Sequence, residues 1–308
     1  MGALHLEPRE DDRPLSYWVQ QTNPKVRLAK GREMRLQPEP WNPDVSVYWD
    51  PFGQRVLSMA IAELKPGGKS TWHRQLNESS MLILSGSGYT IANGQKYVWG
   101  PGDVLQIPIF MWHQHVNPGN VPVRYIRHGT VPFFKYMGIY REERLEPPPE
   151  GRHDDRRHEQ PLGEVRLVPR SHWEPSGGEK VYTEGHHATY APDAGIPHHF
   201  GGGYGVTKLL PGRFSALHRH WNEAIIYIFE GRGYTTVNEE RVYWEAGDMV
   251  CVPLLFWHRH NTLGDEPSLY LRHTNTPLPQ HLGIFVHQRR PEFPEENIPQ
   301  LKDDFTPF

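Results

Sequence analysis

Cysteine is nearly missing from this chain: Cys251 stands alone among 308 residues, so no disulfide can form within it. Neither sign of charge dominates. With 33 Lys and Arg against 36 Asp and Glu, a formal charge of −3 and a pI near 6.7, the chain carries no basic field. Nucleic acid and anionic membrane surfaces are therefore poor partners, and a small molecule is the better one. No stretch approaches the roughly 18 apolar residues of a membrane span. The opening residues Met1 to Glu7 have neither a basic nor an apolar signal region, and Leu6 sits where a myristoylation signal needs Ser or Thr. These absences lead us to expect a cytoplasmic protein. Segments with helical periodicity are also scarce, which leaves little room for a helical fold.

What is present is β-rich. Short runs such as Val56 to Ile61, Met81-Leu82-Ile83-Leu84 and Val104 to Pro108 are cut by Gly, Pro and Asn at short intervals. This pattern predicts an all-β sandwich or barrel. Asn93-Gly94 is a strong hairpin signal, because a tight two-residue turn needs positive φ at both central positions. The first fifty residues are polar and dotted with Pro24, Pro38, Pro40 and Pro43, with Trp18, Trp41 and Trp49 able to anchor an arm. From Glu142 to Pro192 the composition turns rich in Arg, Asp, Glu and Pro, as expected of a linker.

Much of the chain occurs twice. Pro66 to Ile139 aligns without a gap with Pro211 to Ile284, at a constant displacement of 145 residues (218 − 73 and 258 − 113), with more than a third of positions identical. Two domains of similar size agree with a usual domain length of roughly 100–200 residues. The expected organisation is an N-terminal arm (1–50), an N-terminal barrel (51–145), a linker with a lid-like loop (146–195), a C-terminal barrel (196–290) and a tail (291–308).

The repeat carries histidines at fixed places. In the second copy, His218, His220 and His258 supply three imidazoles from neighbouring strands, a donor set that can hold a divalent metal and leave one side open. The alternative, that they are ordinary hydrogen-bonded core histidines, is weaker because two separate motifs stand in register. In the first copy His73 and His113 persist, but Gln75 replaces the third donor. A neutral amide is a poor substitute, which favours a degenerate site and a structural barrel. Residues kept identical in both copies are assigned first to the fold: Asn77 and Asn222, Glu78 and Glu223, Trp112 and Trp257, His115 and His260, Arg127 and Arg272, His128 and His273. His260 nevertheless lies two residues past His258, on the same strand face, and is the first candidate beside the metal. Arg272 is the second, as a carboxylate fork. Cys251, between two valines, reads as a small buried hydrophobe. The pairs His186-His187 and His198-His199 match no closed metal site.

These motifs resemble the cupin superfamily, and the whole chain is similar to a bicupin. The first cupin motif is met by Pro211-Gly212, His218, His220 and Gly231; the second by Gly247, Asp248, Pro253 and His258. The resemblance implies two tandem double-stranded β-helix barrels with a metal inside, and a homo-oligomer. Where most cupins place a metal-binding Glu, this chain has Ala224. Glu223 is one residue out of register, so its side chain is expected to point away from the barrel interior; it is carried as a third candidate near the site. In this spacing the chain resembles the gentisate and salicylate dioxygenase branch, whose iron is held by three histidines. That implies an Fe(II)-dependent oxidoreductase that cleaves a small aromatic acid such as a hydroxybenzoate with O₂. Three neutral imidazoles leave the ion's charge uncompensated and so favour an anionic, chelating substrate. Those relatives usually carry iron in the N-terminal barrel, whereas the complete triad here is C-terminal. Three histidines also suit Mn, Cu, Ni or Zn. The remaining readings are a three-histidine dioxygenase for a thiol or β-diketone, a cupin isomerase or lyase, and a non-catalytic metal- or ligand-binding bicupin.

Overall fold

The computed structural model describes residues 27–77, 79–145, 165–170, 181–182, 187–190, 203–237 and 240–290. The expected tail, most of the linker, Trp18, Pro24, Glu78, His186, His198 and His199 lie outside them. Within the described residues each half forms one seven-stranded and one five-stranded antiparallel sheet. In the first half the large sheet runs, in spatial order, Arg166–Val168, Val104–Ile107, Ser79–Ser85, Val123–Gly129, Ser58–Leu64, Asn42–Trp49 and Gln37–Glu39. In the second it runs Leu28–Ala29, Met249–Val252, Ala224–Glu230, Ser268–Thr274, Gly203–Leu209, His187–Tyr190 and Val181–Tyr182. Among the described residues only two α-helices occur, Val131–Tyr136 and Pro277–His281, each with proline in its first turn. No helix among the described residues is long and apolar enough to cross a membrane.

The unbroken apolar runs have a physical reason. Along Ser58–Leu64, Ala60, Ala62 and Leu64 face the first barrel's own core, while the alternating Met59 and Ile61 join a cluster that includes Ile225, Met249, Cys251 and Leu271 of the second half. The large sheets are thus buried on both faces, and the strand period of two divides their side chains between one barrel and the contact with the other. Cys251 sits there fully buried, 3.1 Å from Gln54 Nε2, as the small-hydrophobe reading anticipates. The Asn93-Gly94 turn forms as expected, with φ of 49° and 68° between the paired residues Ala92 and Gln95.

Two features differ from the expected boundaries. Gln37–Glu39 and Asn42–Trp49 extend the first barrel's sheet, so that barrel begins before residue 51; the alternation of buried Val45 and Val47 drives this. The segments leading into the barrels are also crossed. Leu28–Ala29 pairs with Met249–Val252 of the second barrel, and Arg166–Val168 pairs with Val104–Ile107 of the first. The Gly-Asp of the second motif anchors these crossings. Asp248 accepts from Gly31 N (2.8 Å), Lys30 Nζ (2.8 Å) and Glu245 N (3.0 Å). Asp103 accepts from Arg170 N (3.0 Å) and Gly100 N (2.8 Å) in the same manner. At Gly31 a Cβ would meet the Gly247 carbonyl oxygen at 2.5 Å, so the approach requires glycine.

Candidate metal centre

The histidines stand on the five-stranded sheets, away from the contact between barrels. In the second half that sheet runs Glu240–Glu245, Arg232–Val237, His258–Thr262, Leu217–His220 and His287–Arg290. His218 and His220 share a face of Leu217–His220, and His258 lies directly opposite His218. The intervening Arg219 points away, stacking 4.8 Å over the Trp257 ring and donating from Nε to Gln288 Oε1 at 2.6 Å. A left-handed residue fixes the second motif against the first: Leu255, at φ 64°, donates its N–H to the His220 carbonyl at 3.0 Å. The first barrel repeats this with Phe110, at φ 62°, donating to Gln75 O at 2.8 Å. Holding a non-glycine residue there costs of order 1–3 kcal/mol, which the surrounding packing must offset.

His218, His220 and His258 bring one ring nitrogen each within 4.8 Å of one another. Their ring centroids lie 4.0 Å (218 to 258), 4.8 Å (220 to 258) and 5.7 Å (218 to 220) apart. Each Nδ1 is already engaged by a backbone carbonyl: His218 with Ala216 O at 2.8 Å, His220 with Asn222 O and His258 with Phe256 O, both at 2.9 Å. A carbonyl only accepts, so each Nδ1 carries the proton and each Nε2 presents a lone pair. Burial, together with the neighbouring histidines, holds His218 and His220 well below the ordinary imidazole range, and burial holds His258 at about 4. All three rings are neutral at pH 7, the state a metal requires.

The triad lines a cavity of about 240 Å³ shared with His260, Arg272, Thr274, Phe285, His287 and Arg289. Among the described residues no carboxylate lines it. His260 occupies the place expected of it, 5.5 Å from His258 and 6.0 Å from His218 between ring centroids, with Nδ1 2.9 Å from Thr235 Oγ1. Arg272 also reaches the cavity. Glu223 does not: its carboxylate accepts from Arg55 N and Val56 N at 2.9 Å and from Leu57 N at 3.0 Å, clamping the two halves together. Its place among the site candidates is therefore corrected, and the one-residue offset from the cupin glutamate position is the reason.

His287 and Arg289 escaped the sequence reading. His287 pairs with His220 across the strands, and its ring lies 5.5 Å from His218. Although the residue is partly open to solvent, desolvation of its ring and the neighbouring Arg289 and Arg272 lower it to about 4. The gapless repeat ends at Ile284, but the structural register continues: Glu142 of the first half pairs with Gln75 as His287 pairs with His220. Where the outer histidine is exchanged, its cross-strand neighbour is exchanged as well, and carrying the alignment a few residues further would have exposed this.

In the first half, His73, Gln75 and His113 line a larger cavity of about 760 Å³. The third ring nitrogen within 4.8 Å of those of His73 and His113 belongs to His115.

The cupin domain family matches the chain twice, over residues 60–128 and 205–272. A 5-aminosalicylate 1,2-dioxygenase from Comamonas sp is 32% identical over 130 residues, 41% of this chain and 34% of that protein. A gentisate 1,2-dioxygenase from Ralstonia sp is 37% identical over 84 residues, 27% of this chain and 24% of its own length. The aligned parts thus span about a third and a quarter of those relatives. Among solved structures, salicylate 1,2-dioxygenase from Pseudoaminobacter salicylatoxidans in its adducts with gentisate superposes with a TM-score of 0.64 at 15% identity, covering 93% of this chain and 87% of the other. That likeness establishes the fold. Two regions of the chain, one in each barrel, thus match the cupin domain family.

Proposed function

We propose that the C-terminal barrel holds Fe(II) through Nε2 of His218, His220 and His258, and that the chain is a dioxygenase cleaving the ring of a small chelating aromatic acid. The observation that carries this reading is the cavity's charge. Among the described residues three neutral imidazoles, Arg272 and Arg289 line it and no carboxylate does, so a divalent ion bound there draws in an anion. An ortho-hydroxy carboxylate meets that demand with two oxygens on one ion, and about 240 Å³ accommodates one aromatic ring. The names of the relatives, dioxygenases of aminosalicylate and gentisate, support the same substrate class.

When bound, iron(II) supplies the redox link between an electron-rich ring and O₂. The chain's own residues position the substrate. Arg272 offers a planar fork to the carboxylate. His287, neutral at pH 7, offers a hydrogen bond to the substrate's oxygens, and His260, braced by Thr235, stands beside the triad. Thr274 and Phe285 bound the ring's space. Both oxygen atoms enter the product, and the ring itself supplies the electrons, so no external reductant is needed. We place the protein in the cytoplasm and as a homo-oligomer on the grounds given from its sequence.

Oxygen uptake with Fe(II) and a panel of salicylate, gentisate, 5-aminosalicylate and 1-hydroxy-2-naphthoate tests this. Consumption of one O₂ per ring with loss of the aromatic absorbance is the expected result. Silence across the panel by metal-loaded protein overturns it in favour of a non-catalytic binding bicupin.

A further inference from the structure

The N-terminal barrel, read from sequence, loses its metal site with the exchange of one histidine for Gln75. That reading counts Gln75 as the only replacement, and the folded chain offers another. His113 and His115 stand two residues apart on one face of His113–Val116, and His73 lies directly opposite His113. Ring centroids are 4.1 Å (73 to 113), 5.3 Å (113 to 115) and 6.0 Å (73 to 115) apart. All three rings are buried, at 9%, 2% and 7% exposure for His73, His113 and His115.

Their tautomers suit ligation. His73 Nδ1 engages Thr71 O and His113 Nδ1 engages Met111 O, each at 2.8 Å, so both present Nε2 as a lone pair. His115 Nδ1 lies 2.7 Å from Thr90 Oγ1, which also accepts from Trp99 Nε1 at 2.9 Å. A hydroxyl oxygen has two acceptor lone pairs; in the tautomer in which Thr90 receives both N–H groups, His115 Nε2 carries a lone pair, and a cation bound by the three Nε2 atoms selects that tautomer. Nitrogen donors in this number suit a divalent ion of the zinc or iron type and leave a fourth position toward the cavity, where Gln75 also lies.

We propose that the N-terminal barrel carries a second divalent transition-metal ion, held by His73, His113 and His115. The site draws two donors from His113–Val116 and one from Trp72–Gln75. The C-terminal site draws its pair from Leu217–His220 and its single donor from the partner strand. Exchanging the outer histidine for glutamine thus moves the ion inward. This proposal stands apart from the dioxygenase reading and survives its failure.

Cobalt(II) loading of the full chain, followed by elemental analysis and the visible ligand-field spectrum, tests it. Wild type is expected to hold about two ions per chain. His218→Asn removes a C-terminal donor and is expected to leave about one. In that background His115→Asn is expected to remove the remaining ion, and Gln75→Ala to retain it. No metal in His218→Asn overturns the site, and an ion that survives His115→Asn but not Gln75→Ala overturns its ligand set. Should His115→Asn fail to fold, zinc-soaked wild-type crystals decide by anomalous scattering. A peak at about 2.0–2.1 Å from all three Nε2 atoms is expected. No peak, or one that excludes His115, contradicts the proposal.

Discussion

The two barrels share sheet order, turns, the left-handed residue within the second motif and the aspartate that anchors the crossed strand, yet their cavities differ in chemistry. The C-terminal cavity is small, carries no carboxylate among the described residues that line it, and has two further histidines and two arginines around the triad. The N-terminal cavity is about three times larger and holds charges that already answer one another: Arg127 with Glu39 at 2.8 Å, and Arg144 with Glu142 at 2.6 Å. Acidic side chains thus line the first cavity, and none of the described residues lining the second is acidic. The duplicated scaffold therefore supports two sites, and the exchange of His220 and His287 for Gln75 and Glu142 at one pair of neighbouring strands separates them.

The sharpest way to break that comparison is to make one barrel resemble the other. His220→Gln gives the C-terminal barrel the first half's donors, and oxygen uptake is expected to fall at least about 100-fold, since even residues that only orient ligands cost 10–100-fold when lost. Gln75→His is expected to leave uptake unimpaired.

The next effect is on pH. His73 is held at about 3 and His258 at about 4, against an ordinary value of 6.5, with burial the leading cause in each. Folded values below the unfolded one mean that the unfolded chain takes up more protons in this window. The metal-free protein is therefore expected to lose stability as pH falls from 6.5 toward 4, by up to about 1.4 kcal/mol per pH unit for each such imidazole. Denaturant midpoints across the range measure this, and His73→Asn and His258→Asn should each flatten the slope, since both barrels contribute.

Glu223→Ala sharpens the comparison at the contact between barrels. Three backbone N–H groups lose their acceptor, and a loss of about 2–4 kcal/mol is expected in chemical unfolding. With metal loaded, C-terminal metal content should be unchanged, because the clamp lies outside the cavity. The smallest effect concerns the paired threonines. Thr90→Val and Thr235→Val each strip a hydroxyl from a buried histidine and tryptophan, and each should cost about 1–3 kcal/mol. Oxygen uptake should drop only with Thr235→Val, through the loosened His260.

Much of this was legible in the sequence, for reasons that stop at definite residues. The duplication, the barrel class, the triad and the place of His260 follow from spacing and from the strand period, both local properties. Asn93-Gly94 was legible because the turn's chemistry is contained in two residues. The crossed strands were not, because Leu28–Ala29 and Arg166–Val168 are too short to carry a pattern and owe their place to distant partners. The destination of the Glu223 carboxylate also depends on long-range packing; sequence indicates which face it leaves but not what it meets. His287 lay just past the gapless repeat, and His115 read as a fold residue because it is kept in both halves.

The most direct test of the central claim is the EPR spectrum of the iron(II) protein with nitric oxide, which stands in for O₂ at an open coordination position. A nitrosyl signal that changes shape when a hydroxybenzoate is added, and whose hydroxybenzoate-sensitive component vanishes in His218→Asn, is the result predicted. A spectrum indifferent to every hydroxybenzoate, or one whose sensitive component persists in His218→Asn, would contradict an open three-histidine site in the C-terminal barrel.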